Sequence, residues 1–136
     1  MGLLKREDLL KKETLKIEKV QLDKDDYVFV RQMTGRERDQ FEKSFFKEEK
    51  DENGNVNYQR SLDDFRAKLA VNTVCDEKGE MLFQSDDYEQ LSKSISAQKL
   101  EKIVEVAQGL NKLSDKDKEN LVKNSQGDMV ADSSLG

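Results

Sequence analysis

The sequence predicts an α+β domain, predominantly helical, with an N-terminal antiparallel β-hairpin packed on a bundle of about four to five helices. Three observations lead there. Two strand-like runs, residues 14–22 and 27–30, flank the acid-rich turn Asp23-Lys24-Asp25-Asp26, which is hairpin chemistry. Most of the chain after residue 34 shows apolar residues at helical spacing behind Ser, Thr and Asp caps. A quarter of the residues are Leu, Ile, Val or Phe, which is enough to fold and above the composition of a disordered chain. At 136 residues, one domain over 1–124 is expected, followed by a polar, aperiodic tail at 125–136 (SQGDMVADSSLG) that reads as disordered.

Taken in order, residues 3–12 (LLKREDLLKK) read either as a short amphipathic helix or as a frayed terminus. In 14–22, Leu15 and Ile17 alternate with charge, and Val20 and Leu22 continue one residue out of phase, which predicts a bulge near Glu18-Lys19. Tyr27-Val28-Phe29-Val30 is the strongest strand. Thr34 and Glu37 have capping-box spacing and open a helix that carries Phe41 and Phe45 on one face, with Phe46 about 100° away. Residues 47–60 are polar around Asn53-Gly54 and read as a mobile loop. Ser61 and Asp64 repeat the capping pattern before an apolar helix with Leu62, Phe65, Leu69 and Thr73, broadened by Ala67, Ala70, Val71 and Val74. Gly79 is expected to stop it. Met81-Leu82-Phe83 is a short extended segment expected to touch the hairpin edge. Ser85, Asp86 and Asp87 begin a short helix with acids at its positive end.

The longest helical pattern is 94–113, SISAQKLEKIVEVAQGLNKL. Leu100, Ile103, Val104, Ala107 and Leu110 stack within roughly 120°, and Ile95, Val106 and Leu113 form a second column that widens the apolar arc to about 200°. A one-sided surface helix needs only about 100°, so the second column is either core or a surface offered to another protein. Ser114 and Asp117 cap a last helix holding Leu121 and Val122.

Composition narrows the function classes. Charged residues make up 39% and the net charge is −5. Basic residues are mixed with acids rather than gathered in a stripe, so nucleic-acid binding is not expected. No apolar run approaches the ~18 residues of a membrane span, Arg6 stands where a myristoylation site needs Ser or Thr, and Leu3-Leu4 is too short for a signal sequence, so none is expected. A soluble cytoplasmic protein with no membrane association is the expectation. The chain has no histidine and a single cysteine, Cys75, which reads as a packed small residue in a reducing compartment. Aligning 49–60 with an EF-hand loop puts Arg60 where a bidentate glutamate is required, so no metal site is assigned. The acid pairs sit at turns and helix starts, and no glycine-rich phosphate loop exists. No catalytic residue and no cofactor are assigned, and the chain is not expected to be an enzyme. The contact surface expected from the residues themselves is the Ile95, Val106 and Leu113 column, with Phe46 as a second contact. It suits a helix or extended segment laid in a groove. It also requires that Val106 and Leu113 can be replaced by Asp without unfolding the domain.

Three stretches together carry a resemblance: the hairpin leading into RQMTGRERDQFE, the segment DEKGEMLFQSDDYEQL, and the run SISAQKLEKIVEVAQGLNKLS. In this order, over roughly residues 13 to 124, the chain resembles the tail assembly chaperones of tailed bacteriophages. The resemblance implies a non-catalytic protein of the host bacterial cytoplasm, absent from the mature virion. It would bind and solubilise the long helical tape-measure protein and help the tail-tube protein polymerise around it. The family supplies no catalytic or binding residues to transfer, and self-association into a homo-oligomer stays open. A structural virion subunit such as a head–tail joining protein, or a cytoplasmic adaptor domain, are the alternatives.

Overall fold

A computed structural model describes residues 2–123; the expected tail at 125–136 lies outside them. The architecture is helix-rich α+β, with six α-helices among the described residues, a three-stranded antiparallel sheet and a separate two-stranded ribbon. A short helix α1 (Arg6–Leu10) precedes the hairpin of β1 (Ile17–Gln21) and β2 (Tyr27–Arg31). The register runs without interruption from Ile17↔Arg31 to Gln21↔Tyr27. The expected bulge is therefore absent. The phase slip instead divides the apolar residues between the two faces of the strand. Val20 and its partner Val28 face the core with Val30, while Ile17 stays 37% exposed on the other side. Asp23 builds the turn by accepting the amides of Asp26 (2.8 Å) and Asp25 (3.0 Å), the side-chain turn that short acids favour.

Thr34 caps α2 (Gly35–Lys43) as expected: its hydroxyl accepts from the Glu37 amide, and the Glu37 carboxylate accepts from the Thr34 amide. Glu37 also takes both ends of the Arg31 guanidinium, at 2.7 and 3.0 Å, which ties the end of β2 to the start of α2. Burial pushes the Glu37 carboxyl up, but the hydrogen bonds from Arg31 and the Thr34 amide outweigh it and hold the group below its ordinary value.

The expected loop at 47–60 is a ribbon instead. β3 (Phe46–Lys50) pairs antiparallel with β4 (Val56–Arg60). Its tip is the anticipated Asn53-Gly54 turn, with Asp51 accepting the amides of Asn53 and Asn55 and Gly54 at φ +82°. FKEEK has little strand propensity of its own. It pairs in register with VNYQR, with Glu48 opposite Tyr58 and Lys50 opposite Val56.

α3 (Phe65–Val71) starts later and ends sooner than the sequence suggests. The Ser61–Asp64 box does not form: the Ser61 hydroxyl accepts from the Asp63 amide, and Asp64 sits at φ 59°. At the other end the Thr73 hydroxyl donates to the Leu69 carbonyl. Val74 and Cys75, expected to continue the helix, form β5 (Val74–Cys75) and complete the sheet in the order β1-β2-β5. The hairpin edge is thus covered by β5, and Met81 reaches it only through a bridge to Cys75. Gly79 does not stop the helix. It turns the chain after β5 at φ +88°, where an added Cβ would lie 3.2 Å from Ile17 Cδ1.

A 3-10 turn (Ser85–Asp87) leads into α4 (Tyr88–Ser94). Extended Ile95 then separates α4 from α5 (Ala97–Leu110), which Ser96 caps by accepting the Lys99 amide. α6 (Asp115–Lys123) begins with the reciprocal Ser114–Asp117 bonds the sequence suggested. The core sits where α3 meets α5 beneath the sheet. Six of the seven α3 residues are buried, against one face of α5 made by Leu100, Ile103, Val104 and Ala107. Phe41, Phe45 and Phe65 cluster at its end, with ring centroids 5.0 to 5.8 Å apart. Lys68 is also buried, its ammonium donating to the Ser44 carbonyl at 2.7 Å beside the Phe45 ring.

The Asp23 turn makes a pH prediction. The amides of Asp26 and Asp25, with Lys99 beside them, lower the Asp23 carboxyl from 3.8 to about 2. A carboxyl depressed in the folded state stabilises it above the unfolded value, and that contribution is lost as pH falls through the folded one. The turn's contribution is therefore complete above 3.8 and disappears toward pH 2. A carbon-13 titration of the Asp23 carboxyl should give a midpoint near the lower value, and a midpoint at the ordinary value contradicts this geometry.

Candidate functional site

The second apolar column expected on α5 does not form. Its members were aligned by winding one helix through 94–113, but α5 covers only Ala97–Leu110. Lys112 adopts φ 53°, the Leu113 amide donates to the Gln108 carbonyl and the Lys112 amide to that of Gly109. This is a Schellman turn, and its apolar residue beyond the turn folds back on the helix. Leu113 is accordingly core, 3% exposed. Val106 is half-buried and packs on the core cluster, and Ile95, half-buried, is the residue that ends α4. Of the four expected contact residues, only Phe46 presents a large open surface, at 42% exposure.

Phe45 is 1% exposed within the aromatic cluster and closes the turn after α2, its amide donating to the Glu42 carbonyl; β3 begins at the next residue, Phe46. The Ser61 amide donates to the Phe45 carbonyl at 2.8 Å and closes the root of the ribbon. Beyond that root the register puts Phe46, Glu48 and Lys50 on the same ribbon face as Val56 and Tyr58. Val56 is 42% and Tyr58 65% exposed. The ribbon thus carries an aromatic and aliphatic stripe edged by Glu48 and Lys50, while Glu49 and Asn57 lie on its other face. A two-stranded ribbon is marginal in water on its own. Reading the sequence missed Val56 and Tyr58. The available signal was Asn-Gly between two five-residue runs, a strong hairpin pattern once the flanks are read as alternating.

Two residues after β4, Leu62 lines a groove of about 520 Å³ whose apolar floor also includes Phe65, Ile95 and Leu100. Its rim is polar: Ser92 donates to the Asp64 carboxylate, Arg66 pairs with Glu101, and the Lys118 ammonium lies 4.7 Å from the Phe65 ring centre. Ile95 therefore keeps a place at the surface, in company the sequence did not suggest. An apolar groove with a charged rim suits a helical or extended apolar segment.

Cys75 and three aspartates show what their surroundings do to reactive groups. Cys75 is buried, and that burial pushes its thiol up despite the nearby Arg31 charge. Asp51, Asp76 and Asp117 are held below the ordinary carboxylate value, chiefly by backbone amides of Asn55, Glu80 and Ser114 respectively. Among the described residues no group of three His, Cys, Asp or Glu side chains is placed to hold a metal ion, and no helix is long and apolar enough to cross a membrane. Comparison with known proteins finds no matching family model, curated protein or solved structure.

The two surfaces separate on mutation. Leu113→Asp buries an unpaired charge and should cost about 3 kcal/mol or more in urea unfolding. Tyr58→Asp should change stability by less than about 1 kcal/mol, since it is mostly solvated. Equal costs for the two variants would contradict the placement of both residues.

Proposed function

We propose that this protein is a non-catalytic tail assembly chaperone of a tailed bacteriophage, acting in the host bacterial cytoplasm. It binds and solubilises the tape-measure protein, aids tail-tube assembly around it, and leaves before the virion matures. The observation that carries the reading is the exposed stripe of Phe46, Val56 and Tyr58 on a highly charged, acidic chain. It joins the resemblance borne by RQMTGRERDQFE, DEKGEMLFQSDDYEQL and SISAQKLEKIVEVAQGLNKLS.

The chemistry suits a client that must be released. Three half-open side chains on a thin ribbon and a shallow groove provide contact over an extended surface without a deep, enclosed pocket. Association costs several kcal/mol in lost motion before any net affinity appears, so a surface of this kind binds weakly per site. A long repetitive client engages many such sites. The acidic surface keeps the loaded complex soluble.

Co-expression with the tape-measure protein of the same phage tests the proposal. The wild-type chain should carry it into the soluble fraction and co-purify with it. The double variant Val56→Asp/Tyr58→Asp should stay folded by circular dichroism and lose that capacity. A wild-type chain that leaves the tape-measure protein insoluble contradicts the proposal, as does finding this chain at fixed stoichiometry in purified particles.

A further inference from the structure

The hydrogen bonds at the two ends of the ribbon show which residues form its outer edges. The Asp51 amide donates to the Asn55 carbonyl at 2.9 Å, and the Ser61 amide to the Phe45 carbonyl at 2.8 Å. Inward- and outward-facing residues alternate along an antiparallel ladder. With the register running from Phe46↔Arg60 to Lys50↔Val56, residues 47, 49, 57 and 59 therefore bond across the ribbon. Val56, Tyr58 and Arg60 turn their amides and carbonyls away from β3. Val56, Asn57 and Tyr58 are all exposed, so the fold does not bury this edge. Edge strands are usually guarded by charge, by proline or by a covering element. β1 carries Glu18 and Lys19, β3 carries four charges in FKEEK, and β5 is bridged by Met81. The run Val56-Asn57-Tyr58-Gln59 has no such guard.

We propose that the outer edge of β4 is a self-association site that takes β4 of a second copy of this chain, antiparallel, about a two-fold axis through Tyr58. The product is a four-stranded sheet. A two-fold contact is isologous, so the edge must complement itself under rotation. In the register that overlaps all five residues, Tyr58 meets Tyr58, Asn57 meets Gln59 and Val56 meets Arg60. The outward amides and carbonyls of 56, 58 and 60 then fall opposite one another, and no like charges meet across the seam. The same operation fails on the other two edges. It would set Glu48 of β3 against Glu48, and Lys19 of β1 against Lys19, and like charges directly opposite are destabilising. Three or more strands with an apolar face are stable where two are marginal, so pairing strengthens the ribbon as well as joining the copies. The two stripes of Phe46, Val56 and Tyr58 become one face of the joined sheet. Five-residue strands span only roughly 17 Å, so the seam stays below the ~1,000 Å² of a stable interface, and the dimer is weak and concentration-dependent. The pairing uses the backbone edge of β4 and does not depend on the function proposed above.

Sedimentation velocity on the full chain alone tests this, from about 10 µM to about 1 mM. The wild type should shift from monomer to dimer across that range. Val56→Pro removes an outward amide and keeps the bonds to β3, a place where an edge strand tolerates proline, and it should be monomeric throughout. Tyr58→Cys should form an intermolecular disulfide in air, because hydrogen-bonded partners at the axis have Cα atoms about 5.5 Å apart, within disulfide reach. Tyr27→Cys, at a position 50% exposed on the hairpin, should not. Cys75 is buried and does not compete. A wild type monomeric at all concentrations, a dimer that survives Val56→Pro, or cross-linking no faster at Tyr58→Cys than at Tyr27→Cys overturns the site. With no tape-measure protein present, this result and that of the co-expression test are read separately.

Discussion

The arrangement depends on the packing of Phe41, Phe45 and Phe65. Their rings meet edge-to-face and stacked at 5.0 to 5.8 Å, distances at which aromatic pairs attract beyond simple burial. Phe41 comes from α2, Phe65 from the start of α3, and Phe45 from the residue that launches the ribbon. Phe45 sits in the turn between α2 and β3, so anchoring it in this cluster fixes where the ribbon starts, and an exposed aromatic residue, Phe46, follows a buried one. The Lys68–Ser44 hydrogen bond fastens the same corner from below.

This origin explains how a small acidic domain offers apolar area without unravelling. The sheet and the α3–α5 interface bury the residues that stabilise the fold, while the ribbon contributes little burial and keeps Val56 and Tyr58 outward. Stability and exposed apolar area therefore reside in different elements, so the exposed ribbon face can be altered without disturbing the core. The α1 segment repeats the logic at another place, with its leucines outside the core altogether.

How much of this was legible from sequence differs by element. The hairpin, the Thr34–Glu37 box, the inward faces of α2 and α5 and the Ser114–Asp117 cap were legible because each rests on local periodicity or on residues three apart. The second column failed because helical projection assumes a continuous helix, and Ile95 and the Lys112 turn interrupt it at both ends. β5 was hidden because Val74 and Cys75 fit a helical stripe as well as a strand, and only pairing with Phe29 and Val30 decides between them. The ribbon was hidden because its stability is cross-strand, between residues that a linear reading treats as polar filler. Of the surface itself, Phe46 was legible as an odd residue off its helix face, whereas Val56 and Tyr58 become neighbours of it only once the register is known.

The central proposal is that the ribbon stripe receives the client. Hydrogen–deuterium exchange of this chain, alone and with a soluble helical fragment of the tape-measure protein, tests it most directly. The account predicts that amides across residues 46–66 slow on complex formation, while those of β1 and β2 keep their rates. Protection confined to the sheet, or identical exchange with and without the fragment, would contradict it.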